Sequence, residues 1–328
     1  MKAIVYEKYG PPDVLQFKEV ERPIPEDNEV LVRVHAASVN SWDRDLLRGT
    51  PFLNRLMFGL LRPKYKILGC DIAGRVEELG GNVKQFQLGD EVFGDLSGCG
   101  FGGFAEYVSA PESALASKSD SMTFEEAAAI PQAGLLALQG LRDKGQIQPG
   151  QKVLINGAGG GVGTFGVQIA KSFGAEVTGV DSTGKLDLLR SIGADSVIDY
   201  TQEDFAKGGQ RYDLILDVVT YRSILDYQRV LNPRGTYVML GGGCWSRVWQ
   251  TMLLGPLVSM TTGKRMGILM HNPNKNLAFV KELFEAGRVK PVIDRRYPLS
   301  EVPEALRYFG DGHVKGKVVI TMEHNKKS

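Results

Sequence analysis

A short apolar run, Lys152 to Asn156, leads straight into Gly157-Ala158-Gly159-Gly160-Gly161-Val162-Gly163, and a helical stretch from Thr164 to Phe173 follows. No other feature constrains the fold of this chain as much. A strand that turns through glycines into a helix exposes the unpaired N–H groups of the first helical turn, and the positive end of the helix dipole, where a pyrophosphate can sit. Glycine is required because a β-carbon would hold the phosphate off the backbone. Set against the G-x-G-x-x-G fingerprint, the match is Ala158-x-Gly160-x-x-Gly163, with Ala in first place. Asp181 ends the next apolar run, 21 residues after Gly160, where a carboxylate can accept hydrogen bonds from a ribose. A triphosphate-binding P-loop would need Gly-Lys-Ser/Thr at the loop end, whereas Thr164-Phe165 follows Gly163. A methyltransferase satisfies the glycine pattern alone and leaves the β-rich stretch before it unexplained.

The context extends the reading. Strands are expected at 152–156, 176–180, 196–199, 213–218, 237–240 and 266–270, with helical segments between most of them. Such alternation implies a parallel, doubly wound α/β sheet. Before residue 121 the pattern differs: short β-rich runs at 3–6, 14–20, 30–35, 70–79, 91–93 and 104–108 are punctuated by Gly, Pro and Asn, as in a barrel-like β unit. Thr123-x-x-Glu126 is a capping-box signature that opens the helical grammar. Helices are expected at 274–287 and, capped by Ser300, up to Phe309, with a strand at 317–321. The C-terminal pattern returns to the β style, so the expected domains are 1–121 with 266–328, interrupted by 122–265. Glycine takes 40 of the 328 positions, well above the average usage of about 7 %.

Charge and cysteine usage remove other classes. With 39 Lys+Arg against 38 Asp+Glu, the net charge of +1 gives no general attraction to nucleic acid or an anionic membrane. Cys70, Cys99 and Cys244 form no Cys-x-x-Cys pair and no disulfide framework, which fits a reducing cytoplasm. The first residues carry Glu7 and Lys8 before any apolar run of signal length develops, and the apolar stretches near 153–170 and 248–260 are too glycine-rich or too short to span a bilayer.

Taken together, Asn40-Ser41-Trp42-Asp43, the run from Gly69 through Cys70 and Asp71 to Val76, Gly89-Asp90-Glu91-Val92, the glycine turn 157–163, Val197-Ile198-Asp199-Tyr200 and Gly316-Lys317-Val318-Val319 resemble the medium-chain dehydrogenase/reductases. The likeness runs in order through nearly the whole chain and is greatest to their zinc-free, quinone oxidoreductase-like branch. It implies a Rossmann doubly wound parallel sheet inserted into a GroES-like β-barrel domain, with NAD(P)H in the cleft between them. It carries the cofactor onto Gly157, Ala158, Gly160, Gly161, Val162, Gly163, Asp181, Ser182 and Lys185. It also implies Tyr200 beside the adenine, Val218, Gly241 and Gly242 where the cofactor passes the strand ends, Leu269 at the nicotinamide, and Lys317 as a basic neighbour of phosphate. Asn40 and Asp43 are the catalytic candidates it implies, with loop capping as the plain alternative for Asp43. Leu136 departs from the pattern, standing where many relatives have a Thr that bonds the cofactor.

The zinc-dependent relatives have a Cys near the Asn40 position and Gly-His-Glu where this chain has Gly69-Cys70-Asp71, so the resemblance implies no catalytic zinc. Without a Lewis acid an unactivated alcohol is a poor substrate. A quinone or an α,β-unsaturated carbonyl spreads the charge of an arriving hydride onto its own oxygen. The expected activity is therefore hydride transfer from NAD(P)H to a small hydrophobic electrophile of that class. A non-catalytic NAD(P)H-binding sensor and an alcohol dehydrogenase working oxidatively stay open. Asp181 favours NAD(H), Ser182, Thr183 and Lys185 favour NADP(H), and the resemblance leans to NADP(H). It also implies a homodimer. The apolar segment 51–63 reads as either a lid over a hydrophobic substrate or a core helix, and 245–260 as a substrate wall or a subunit contact.

Overall fold

The structure, a computed structural model, describes residues 1–241 and 244–323. The chain divides into two compact units, Met1–Gln132 with Pro273–Glu285 and Ile293–Ser328, and Ala133–Asn272 with Ala286–Val292. The first crossing falls after the Thr123-capped helix Phe124–Ala129 rather than before it, and the return comes at Pro273, with a short excursion at 286–292.

The second unit is built on strands β1 (Lys152–Asn156), β2 (Glu176–Asp181), β3 (Ser196–Asp199), β4 (Tyr212–Asp217), β5 (Leu231–Met239) and β6 (Arg265–Ile268). All are parallel, in the order β3-β2-β1-β4-β5-β6. This is the Rossmann order. Val153, Leu154 and Ile155 of β1 are fully buried, as a central strand covered on both faces requires. The order reverses between β1 and β4, and in open α/β sheets ligands bind outside the carboxyl ends of the strands at such a switch point.

The first unit centres on a seven-stranded sheet in the order Ile293–Pro298, Lys317–Thr321, Glu29–Val39, Asp71–Leu79, Glu91–Asp95 and Ala116–Ser117, with Tyr107–Pro111 also paired to Glu29–Val39. Lys2–Val5 pairs with Gln16–Glu19 in a separate two-stranded sheet. Val30, Val32, Val34, Ile72, Val318 and Ile320 fill its core. The Thr123 box forms as expected: Glu126 N–H donates to Thr123 Oγ1 at 3.1 Å and Thr123 N–H to Glu126 Oε2 at 3.0 Å. Ser300 is not a cap. It lies inside the 3-10 turn Leu299–Glu301, and the helix Val302–Gly310 starts from Glu301 with a proline in its first turn. The strand Ile293–Pro298 and the helix Ser41–Arg48 lie outside the elements expected from sequence, whereas the helix Trp245–Thr262 falls between two of the expected strands. Among the described residues no helix is long and apolar enough to cross a membrane.

Candidate dinucleotide site and buried polar clusters

The glycine turn leaves β1 at Gly157, whose φ is +84°, and enters the helix α1 (Gly161–Ser172). A β-carbon on Gly157 would stand 2.6 Å from Val219 Cγ1, and one on Gly163 would stand 2.2 Å from the Gly157 carbonyl oxygen. These two glycines let turn, helix and strand close on one another. Gly160 differs: a β-carbon there would meet only the Gly157 oxygen, at 3.8 Å, so the space above it is open. Gly157 and Ala158 N–H both donate to the Val180 carbonyl, at 3.0 and 3.1 Å, which pins the turn onto β2. The N–H groups of Gly161, Val162 and Gly163 lie in the first turn of α1 and have no acceptor within the helix. Open space over bare amides at a helix start suits a pyrophosphate.

Asp181 sits where expected, at the end of β2, but its carboxylate is turned to the loop. Oδ2 accepts the Gly159 N–H at 2.8 Å, Oδ1 accepts the Ser182 N–H at 2.9 Å, and Lys185 Nζ stands 3.4 Å from Oδ1. The expected free ribose acceptor is thus paired with a lysine and a loop amide. Tyr200 follows β3 and is 56 % exposed, its N–H donating to the Asp181 carbonyl. Val218 N–H donates to the Asn156 carbonyl at 3.0 Å, and Leu269 N–H to the Met239 carbonyl at 2.8 Å. Gly241 has a φ of +95°. Gly242 lies outside the described residues. Leu136 is half-buried in the helix Pro131–Leu138. Sequence reasoning passed over the cluster beneath this ridge. Asp217, the last residue of β4, accepts the Tyr237 hydroxyl at 2.8 Å and Asn156 Nδ2 at 2.9 Å, and Asn156 also donates to the Tyr227 hydroxyl at 2.9 Å. Burial raises the Asp217 carboxyl above its ordinary value, against the pull of those donors.

The first unit holds the other candidates, and there two of them, Asp43 and Lys317, are buried. Asp43 is fully buried and closes a capping box on the helix Ser41–Arg48: Oδ2 accepts the Asn40 N–H at 2.8 Å, and Oδ1 accepts the Gly69 N–H at 3.0 Å. The Cys70 thiol lies 3.5 Å from Oδ1. Burial pushes the carboxyl up to about 7. Asp43 therefore shapes the loop and has no exposed face to offer a substrate. Lys317 was expected near a phosphate. Instead it is 3 % exposed, with Nζ 2.6 Å from Asn40 Oδ1 and 3.4 Å from both the Val39 carbonyl and Asp71 Oδ2. All three ammonium hydrogens have acceptors inside the unit, which leaves none for a phosphate.

Asp71, quoted in a motif but given no role, is the hub. Its Oδ2 accepts from Ser38 Oγ and from Asn40 Nδ2, each at 3.0 Å, and its Oδ1 from the Gln132 N–H at 3.0 Å. Burial raises its carboxyl, with the Lys317 ammonium pulling it down. Asn40 is buried too, and its carboxamide is held in one orientation with oxygen toward Lys317 and nitrogen toward Asp71. Beside it, Trp42, Phe58, Tyr65 and Phe101 form an aromatic cluster, with ring centroids 5.3 to 6.2 Å apart. The helix Phe52–Phe58 turns its other apolar residues outward: Phe52, Leu53, Leu56 and Met57 are all exposed. The core-helix alternative holds for Phe58 alone among these. Among the described residues no group of three or more His, Cys, Asp or Glu side chains is placed to hold a metal ion.

Comparison with known proteins adds the lineage. A family model described as "Alcohol dehydrogenase GroES-like domain" matches residues 26–120, and one described as "Zinc-binding dehydrogenase" matches residues 192–320. The chain is 32 % identical, over 98 % of its own length and 98 % of the other's, to a chloroplast envelope quinone oxidoreductase homolog of Arabidopsis thaliana. It is 34 % identical to the 2-methylene-furan-3-one reductase of Solanum lycopersicum, over 98 % of this chain and 79 % of that protein. Among solved structures, the quinone oxidoreductase of Coxiella burnetii superposes with a TM-score of 0.87 at 30 % identity, over 98 % of this chain and 99 % of that one.

Proposed function

The chain belongs to the medium-chain dehydrogenase/reductase superfamily, in its zinc-free, quinone oxidoreductase-like branch, and on that premise we propose that it reduces quinones or α,β-unsaturated carbonyls with NAD(P)H. It is an NAD(P)H-dependent oxidoreductase. The observation that carries this reading is the glycine turn at the switch point of the β3-β2-β1-β4-β5-β6 sheet, with its bare helix-start amides and the open space at Gly160.

When bound, a reduced nicotinamide supplies the hydride. The chain's own residues bind and orient. The amides of Gly161, Val162 and Gly163 hold the pyrophosphate. Lys185 neutralises Asp181, the carboxylate that would otherwise repel a 2′-phosphate, and with Ser182 it supports a preference for NADP(H). Asn40, its carboxamide held in one orientation by Lys317 and Asp71, is the catalytic candidate that the family likeness supports. The apolar residues around Phe52–Phe58 support a hydrophobic substrate. Zinc independence is supported by the donor set itself, since the Lys317 ammonium lies 3.4 Å from Asp71 and 2.6 Å from Asn40 and a second cation would be repelled. An enone or quinone needs no metal, because its own oxygen takes up the incoming charge.

We further propose a homodimer built on the edge strand β6, which among the described residues pairs with β5 alone, and on the exposed Trp249, Leu253, Leu257 and Met260 of the neighbouring helix Trp245–Thr262. Light scattering on the purified protein checks it. A cytoplasmic setting stays our proposal for a chain whose three cysteines are unpaired.

The decisive experiment is turnover by chelator-treated protein with a small panel of quinones and enones and 4-deuterated NADPH or NADH. Deuterium appearing in the product supports the reading. Tight cofactor binding without turnover across the panel would overturn it in favour of a sensor. In the same assay Lys185→Ala should lower the NADPH-over-NADH preference by about tenfold, the worth of one charge-assisted hydrogen bond.

A further inference from the structure

Thr220 is fully buried and has a φ of +56°. Glycine takes that conformation without penalty, whereas a β-branched residue is strained there and persists only where its surroundings hold it. Two bonds do so. Its N–H donates to Asp217 Oδ1 at 3.1 Å, and its hydroxyl donates to the Gly241 carbonyl at 2.8 Å. Thr220 is thus a strut between the carboxyl ends of β4 and β5. One foot rests on Asp217, itself locked by Tyr237 and Asn156. The same turn presses on the glycine loop, since a β-carbon on Gly157 would meet Val219 Cγ1 at 2.6 Å and Val218 Cβ at 3.5 Å.

In a sheet of this order one half of a dinucleotide lies over the ends of β1 to β3 and the other over β4 to β6. Asp181, at the end of β2, marks the first as the adenosine half. We propose that Thr220 is a positioning residue for the nicotinamide half, its hydroxyl fixing the Gly241 carbonyl and the wall formed by Val218 and Val219. The inference rests on the cofactor reading above. A glycine would follow the same backbone path freely; what the threonine adds is the hydroxyl bond to Gly241.

The test compares Thr220→Gly and Thr220→Ser with the wild type in titrations against NADPH, or NADH if the wild type prefers it, and against the adenosine-half probe 2′,5′-ADP or ADP. Thermal unfolding is recorded alongside. Thr220→Gly should melt at or above the wild-type temperature, bind the whole dinucleotide about 3- to 10-fold more weakly, the worth of one hydrogen bond, and bind the adenosine-half probe unchanged. Thr220→Ser, which keeps the hydroxyl, should recover dinucleotide affinity to within about twofold, a small part of one such bond. Unchanged dinucleotide affinity in Thr220→Gly would overturn the inference, as would equal weakening of both probes together with a lower melting temperature. Should the glycine variant not fold, Thr220→Ala, which removes the hydroxyl and keeps the β-carbon, makes the same comparison against Thr220→Ser. A wild type that binds neither dinucleotide would instead sink the cofactor reading, and this inference with it.

Discussion

Lys317 shows how much a single residue's surroundings decide. Its ammonium and the Asp71 carboxylate are both buried, and Asn40 is oriented by the two together. Lys317→Met keeps the chain volume and removes the charge, leaving Asp71 unpaired in the interior, and should destabilise the protein by about 3–5 kcal/mol. Adding Asp71→Asn to Lys317→Met removes the orphaned charge and should recover a large part of that loss. Urea denaturation of the wild type, the single variant and the double variant checks both statements, and equal midpoints for all three would refute the buried pair. The motif at 316–319 was visible in sequence, but the direction of its lysine was not. Residues 317–320 are all buried, so this strand lacks the in-out alternation that would have shown which side chains point inward. For Asp43 the structure realises the loop-capping alternative: an Asn-x-x-Asp pattern is equally a helix start, and here one carboxylate oxygen closes the capping box while the other accepts the Gly69 N–H.

At the level of the element, the strand, turn and helix at 152–172 were legible because each local signal agrees with the others. The apolar run matches β1 residue for residue, and the glycines are needed where backbone meets backbone. Gly163→Ala tests that requirement. Its β-carbon would meet the Gly157 carbonyl oxygen at 2.2 Å, and neither backbone can swing aside, so α1 must shift off the loop. We expect a stability loss of about 1–3 kcal/mol, and NADPH affinity reduced at least tenfold, on the order of 1.4 kcal/mol. Gly310→Ala, whose β-carbon meets nothing within 4 Å, should change neither. Calorimetric titration and thermal melts read both. The helix Trp245–Thr262 was less legible: its apolar residues are spread around the axis with several exposed, so periodicity gives no clear face.

For the whole molecule, buried carboxyls set the pH dependence of stability. Asp43, Asp71 and Asp217 bind their protons more tightly folded than unfolded, because burial penalises the charge. For such groups stability is full below the unfolded value near 3.8 and is lost as pH rises through the folded one, which for Asp43 is about 7. Asp195, Asp199, Asp204, Glu91 and Glu112 act in the opposite sense, contributing stability that is lost on acidification, but all of these except Asp199 lie nearer the surface, where screening weakens them. The urea midpoint should therefore fall as the pH is raised from about 6 to about 8, the range around the Asp43 value. Asp43→Asn should flatten that slope while lowering stability at every pH, because its amide cannot accept from both the Asn40 and the Gly69 N–H. An equally steep slope in the variant would assign the titration to another group.

The sequence by itself determined the Rossmann sheet, the β unit around it and the phosphate turn, because strand periodicity, glycine punctuation and helix starts are set by residues within a few positions of one another. The tertiary structure alone decided which polar groups meet. Asn40, Asp71 and Lys317 come together across 31, 246 and 277 residues of chain, and Thr220 reaches Gly241 across 21. Bonds of that span form only after the sheets close, and the cost of burying an unpaired charge or hydroxyl then dictates the partner.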